Sequence, residues 1–240
     1  MQRIIAGAVV LAVVAAGAVR PAVAAAPSTS AEPGLSDRAL EGRIHFIEDR
    51  LEARRTHAEI WYWGWMSVFA GATLGLSIGA ATSDHAADRA NFISQAVLAA
   101  AGVGDLLVRP FEARFGADPI RDLPEGTRVE RLRKLELAER LLRANAERAR
   151  TRTSWPLHLA NLAANGAAGL IVWAAGDGKA GAISAVSGIL GGEAYIWTEP
   201  GGPERDLADY ERMRSAGSAI EVDGWSIVPA LGGLAVQLKF

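Results

Sequence analysis

The sequence predicts a mainly α fold: a duplicated helical-hairpin bundle of four apolar helices, two continuing from long amphipathic helices, with a small C-terminal β-hairpin. Three observations carry this expectation. Half of the 240 residues are hydrophobic, with 26 Gly against 6 Phe and 3 Tyr, a composition that favours close helix contact over a broad aromatic core. Residues 60–81 and 155–175 contain no Asp, Glu, Lys or Arg and are about long enough to cross a bilayer. Finally, one order of parts occurs twice: long charged helix, apolar run, turn, apolar run.

Residues 1–26 read as a secretory signal peptide, with Arg3 as the positive start, an apolar stretch over 4–17 and the small-x-small site Ala22-Val23-Ala24. Residues 27–35 form a linker rich in Pro and Ser. The first unit is then expected over 36–111. In it Leu40, Ile44, Ile47, Leu51 and Ala58 recur at helical spacing among charges, so an amphipathic helix runs without a stop signal into the apolar stretch 60–81. A polar loop over 82–91 and a second apolar run over 92–108 follow, closed by Arg109-Pro110.

The second unit is expected over 112–200. Val129, Leu132, Leu135, Leu142 and Ala146 mark its charged helix, 155–175 its first apolar run, Gly176-Asp177-Gly178-Lys179 its turn, and 180–197 the return. Ile93-Ser94 and Pro110 have counterparts at the same separation in Ile183-Ser184 and Pro200. Residues 201–240 read as a surface helix followed by alternating strands around Gly232-Gly233. The alternation ending in Phe240 resembles the last strand of outer-membrane β-barrels over about ten residues, and that resemblance implies the compartment alone.

Trp61, Tyr62, Trp63, Trp65, Trp155, Tyr195 and Trp197 fall at one end of an up-down bundle, where an interfacial aromatic belt would lie, and Trp173 lies near the other. Gly71, Gly75 and Gly79, with Gly188 and Gly192, stand at four-residue spacing and are expected to pack helices as a glycine zipper. The basic residues beside the runs, Arg54, Arg55, Arg148, Arg150 and Arg152, oppose the topology a cleaved signal would impose.

Candidate chemistry is sparse. A net charge of −2 and the lack of a basic stripe exclude nucleic acid as an expected partner, and the absence of Cys excludes disulfides and thiolate sites. No nucleophile elbow, phosphate loop, dinucleotide fingerprint or zinc-protease motif occurs, so no catalytic, cofactor or metal residues are assigned. His45, Glu48, Asp49 and Glu52 share a helix face, and Asp84, His85 and Asp88 share a loop; both read as solvated charge.

His158, Asn161 and Asn165 form a polar stripe within an apolar helix, for which Asp105, Glu193, Asn91 and Gln95 are the candidate partners. The expectation is a noncatalytic, exported protein of the bacterial cell envelope, at the inner membrane, periplasm or outer membrane, with membrane lipid, copies of itself or envelope proteins as partners. The alternative is a small transport or channel-like component whose path is lined by His158, Asn161, Asn165 and Glu193.

Overall fold

The computed structural model describes residues 35–109 and 111–215 in full, and from 216 onward only part of the backbone. The expected signal peptide, most of the linker and the C-terminal β-hairpin lie outside the fully described residues. Within them the protein is mainly helical: α1 (Asp37–Thr82), α2 (Ala86–Val108), a 3-10 turn (Glu112–Phe115), α3 (Asp118–Arg121), α4 (Arg128–Arg152), α5 (Trp155–Ala174), α6 (Gly178–Trp197) and α7 (Pro203–Gly217). As the sequence predicts, α1 passes from its charged half into its apolar half without a break.

The second long helix differs from expectation, because α4 stops at Arg152 and α5 begins anew. Pro156 lies in the first turn of α5, where its missing N–H leaves no hydrogen bond unmade, and Ser154 before it is extended (φ −76°, ψ 141°). The loop between α1 and α2 is also shorter than 82–91, since α2 already starts at Ala86.

Contacts divide the chain into two compact units, each assembled from segments distant in sequence. The charged unit takes the described chain up to Thr56, Glu112–Arg150 and the residues from Pro200 onward. Its core joins Leu40, Ile44, Ile47 and Leu51 of α1 to Ile120 of α3, to Leu135, Ala138 and Leu142 of α4, and to Tyr210 of α7. The i, i+3/i+4 spacing of these apolar residues is what aligns them on one stripe of each helix.

Ion pairs fasten the rim of this core. Arg54 grips the buried Asp206 with two bonds, at 2.8 and 3.0 Å, and Arg121 meets Glu52 at 2.7 Å. Gly116 is required at its turn, with φ +53° and Glu52 Oε2 2.7 Å from where a Cβ would stand. Thus α7, expected as a surface helix, contributes both the buried Tyr210 and the buried Asp206.

The apolar unit comprises His57–Phe111 and Thr151–Glu199. Among the described residues three helices are long and apolar enough to cross a membrane: α1, α2 and α5. The fourth expected run, α6, falls short because Glu193 and its glycines lower its hydropathy. Small residues bring the helices together: Gly102 faces the Phe69 ring, Gly79 faces the Phe92 ring, and Gly169 lies against the Gly181 carbonyl and Ala185.

Many large apolar side chains of this unit point outward. Among the described residues, every exposed large hydrophobic except Phe115 and Val129 belongs to it, from Leu74, Ile78 and Leu162 to Trp63, Trp155 and Trp197. Its buried residues include Trp61, Tyr62, Leu106, Phe111, Tyr195 and Ile196 together with Ala96, Ala99, Ala168 and Val172, beside the polar Asn165, Ser184 and Arg152.

Candidate polar network

The hairpin of α5 and α6 builds the network. Gly176 (φ +115°) allows the tight reversal, and Asp177 caps α6 by accepting the Ala180 N–H at 2.8 Å. The helices then run antiparallel, so the first turn of α5 meets the last turn of α6. Spacing of i, i+3 and i+7 turns His158, Asn161 and Asn165 toward α6.

Glu193 is the hub. Its Oε2 accepts the Trp197 indole N–H at 3.0 Å and lies 2.7 Å from His158 Nδ1; its Oε1 accepts the Asn161 amide at 2.9 Å. Asn161 also donates to the Ile189 carbonyl at 3.0 Å and accepts from Asn165 at 2.8 Å. Four of the five predicted residues therefore join one chain: His158, Glu193, Asn161 and Asn165.

Room for it comes from Gly188 and Gly192, where a Cβ would strike the Asn165 and Asn161 side chains respectively. The chain of bonds stops at Asn165. Beyond it the hairpin closes on buried Ala168, Gly169 and Val172. Near the open end His158 and Glu193 are 26% and 27% exposed, so the pair is reachable from the surface.

Asp105, the fifth predicted residue, belongs to a separate cluster. It accepts from the Tyr195 hydroxyl at 2.9 Å and from Arg152 Nη1 at 3.3 Å, while Arg152 Nε donates to Glu199 at 2.6 Å. The Arg152 guanidinium also lies 4.3 Å over the Tyr195 ring, which stacks on Trp61 at 5.1 Å.

Spacing along the sequence does not join Arg152, Tyr195 and Glu199 into a network. Their available signal was an Arg and a Glu each set at the edge of an apolar run. Asn91 and Gln95 make a third group, with Ser184 donating to Asn91 at 2.7 Å and Gln95 donating to Ser184 at 2.9 Å.

The glycine residues divide differently from the expected zipper. Gly71 and Gly75 have no atom within 4 Å of a built Cβ, so that part of the stripe holds no helix against it. Gly79 admits a ring, and Gly188 and Gly192 admit amides. The close backbone approach occurs at Gly169 and Gly181, a pairing across the hairpin that spacing along one helix does not reveal.

The other charged groupings have local partners. Glu48 pairs with Lys134 at 2.8 Å, Glu52 with Arg121, and the exposed His45 lies 3.4 Å from Glu48. His85 and Asp88 stand 3.9 Å apart in solvent. Among the described residues no group of three His, Asp or Glu side chains could share a metal ion. No protein-family model, no curated protein and no solved structure matches this chain.

Proposed function

We propose that the protein is a noncatalytic component of a bacterial cell envelope, held in a membrane by its apolar unit and using its charged unit for assembly or scaffolding. One observation supports the membrane part: Leu, Ile, Val and Trp side chains stand exposed over much of this unit's surface, while the polar Asn165, Ser184 and Arg152 lie buried in it. Water would favour the reverse arrangement, whereas hydrocarbon favours this one. The closed bonding of Glu193 and Asn161 supports a structural network that fixes the register of α5 and α6.

Export and the envelope compartment rest on residues 1–26. The self-association and duplication readings rest on the pattern of the sequence.

The test is membrane fractionation of the expressed chain with carbonate washing, combined with mass analysis of its N-terminus. Retention in the washed membrane with a start near Ala25 is the expected result. Release into the soluble fraction overturns the membrane reading, and an intact Met1 overturns cleaved export.

A second reading, a transport path along His158, Asn161, Asn165 and Glu193, draws on the partial exposure of the His158–Glu193 pair. Replacing Asn165 by Leu separates the two. Lower folded yield supports the structural network; unchanged yield with altered proton or ion leak in vesicles supports the path.

A further inference from the structure

We propose that the apolar unit seats one acyl chain of a membrane lipid in a groove along α1, a ligand assignment that rests on the membrane reading above. The groove is an open depression of about 320 Å³. Ile60, Gly64 and Val68, at i, i+4 and i+8 on one helix face, line it together with Trp61 and Trp65. His57 and Thr198 complete the lining.

The walls contain polar residues yet present little hydrogen-bonding capacity. Both indole N–H groups donate to Thr198 Oγ1, at 3.2 and 3.0 Å, and that hydroxyl donates to the Ala194 carbonyl at 2.6 Å. With those donors and acceptors engaged, the rings offer hydrocarbon contact, which suits an aliphatic chain and rejects a polar solute. The exposed His57, also in the lining, offers a polar group to the lipid headgroup.

Gly64 leaves room between the lining side chains, since a Cβ there would meet no atom within 4 Å. Ile60 and Val68, 68% and 54% exposed, make the groove continuous with the outward apolar surface of the unit. A lipid chain can therefore enter sideways from the bilayer without crossing water.

The test uses the full chain reconstituted in phosphatidylcholine vesicles doped with a phosphatidylcholine whose acyl chain carries a photoreactive diazirine, with labelled residues mapped by mass spectrometry. The expected result is several-fold stronger labelling over residues 60–68 than at Leu74, Ile78, Leu159 and Leu162. Gly64→Leu should remove that excess. Gly71→Leu, on the same helix and equally open but outside the groove, should leave it.

Equal labelling at all these positions, or an excess that survives Gly64→Leu, overturns the groove and leaves the membrane reading standing. Loss of the label over residues 60–68 as the protein-to-lipid ratio rises, with the label at Leu74, Ile78, Leu159 and Leu162 unchanged, overturns it in favour of self-association. Absence of label at Leu74, Ile78, Leu159 and Leu162 overturns the membrane reading itself.

Discussion

Lys134 shows how a single residue in this protein is governed by its partners. Its side chain is 1% exposed, yet Glu48 lies 2.8 Å away, Glu125 also pairs with it, and the Arg121 carbonyl accepts at 3.3 Å. Burial pulls its pKa down, but bonds from Glu125 and Glu48 prevail and hold it above the ordinary 10.5. Lys134→Met removes the cation and leaves two carboxylates facing apolar atoms. Since Glu125 stays partly in solvent, the expected loss of stability is about 1–3 kcal/mol, read from urea unfolding followed by circular dichroism.

Tyr210 adds a matching alkaline sensitivity, because burial raises its pKa, as does its bond to Glu139. For both groups a folded pKa above the unfolded one means the contribution is complete below the unfolded value and lost as pH rises beyond it. The charged unit should accordingly lose stability as pH climbs above about 10. Tyr210 should ionise together with unfolding in a spectrophotometric titration; free ionisation at its ordinary value would contradict its burial.

At the scale of elements, the α5–α6 hairpin depends on glycines for reasons that differ from site to site. A methyl at Gly192 collides with the Asn161 amide, and one at Gly188 collides with that of Asn165. Gly192→Ala and Gly188→Ala should each cost about 1–3 kcal/mol, in line with overpacking in a filled interior. At Gly71 and Gly75 the space is open, so Ala there should be neutral or stabilising by up to about 1 kcal/mol through helix propensity. Thermal unfolding of the four variants in one detergent compares them directly.

The polar stripe of α5 was legible in the sequence because three polar residues at helical spacing stand out in an apolar run. Its bonding to Glu193 is a matter of pairing two polar groups in antiparallel helices; Asp105, the other expected partner, has its carboxylate 3.8 Å from the Arg109 guanidinium four residues on. Spacing along a helix gives the face a residue occupies but not which neighbour meets it. Asp105 meets Tyr195 and Arg152, contacts that no periodicity encodes.

For the molecule as a whole, the decisive feature is the contrast between its two units. The charged unit buries Leu and Ile and exposes charge, as water requires; the apolar unit exposes Leu, Ile and Trp. Leu74 and Leu162 are 68% and 51% exposed, so exchanging either for Arg tests the surrounding medium. In hydrocarbon the exchange should cost about 2–4 kcal/mol and reduce the membrane-inserted yield; in water it would be harmless and raise solubility.

The sequence by itself determined that the chain is helical, that its helices carry amphipathic or wholly apolar faces, and where α1 changes character. These follow from local periodicity and composition, which every segment carries within itself. Tertiary structure alone decided how the segments group. Read in order, each charged helix belongs with the apolar hairpin after it, yet contacts gather charged segments into one unit and apolar segments into the other. The physical reason is that burial is a property of what a surface meets: a stripe of Leu and Ile can be satisfied by any matching stripe, however far along the chain it lies.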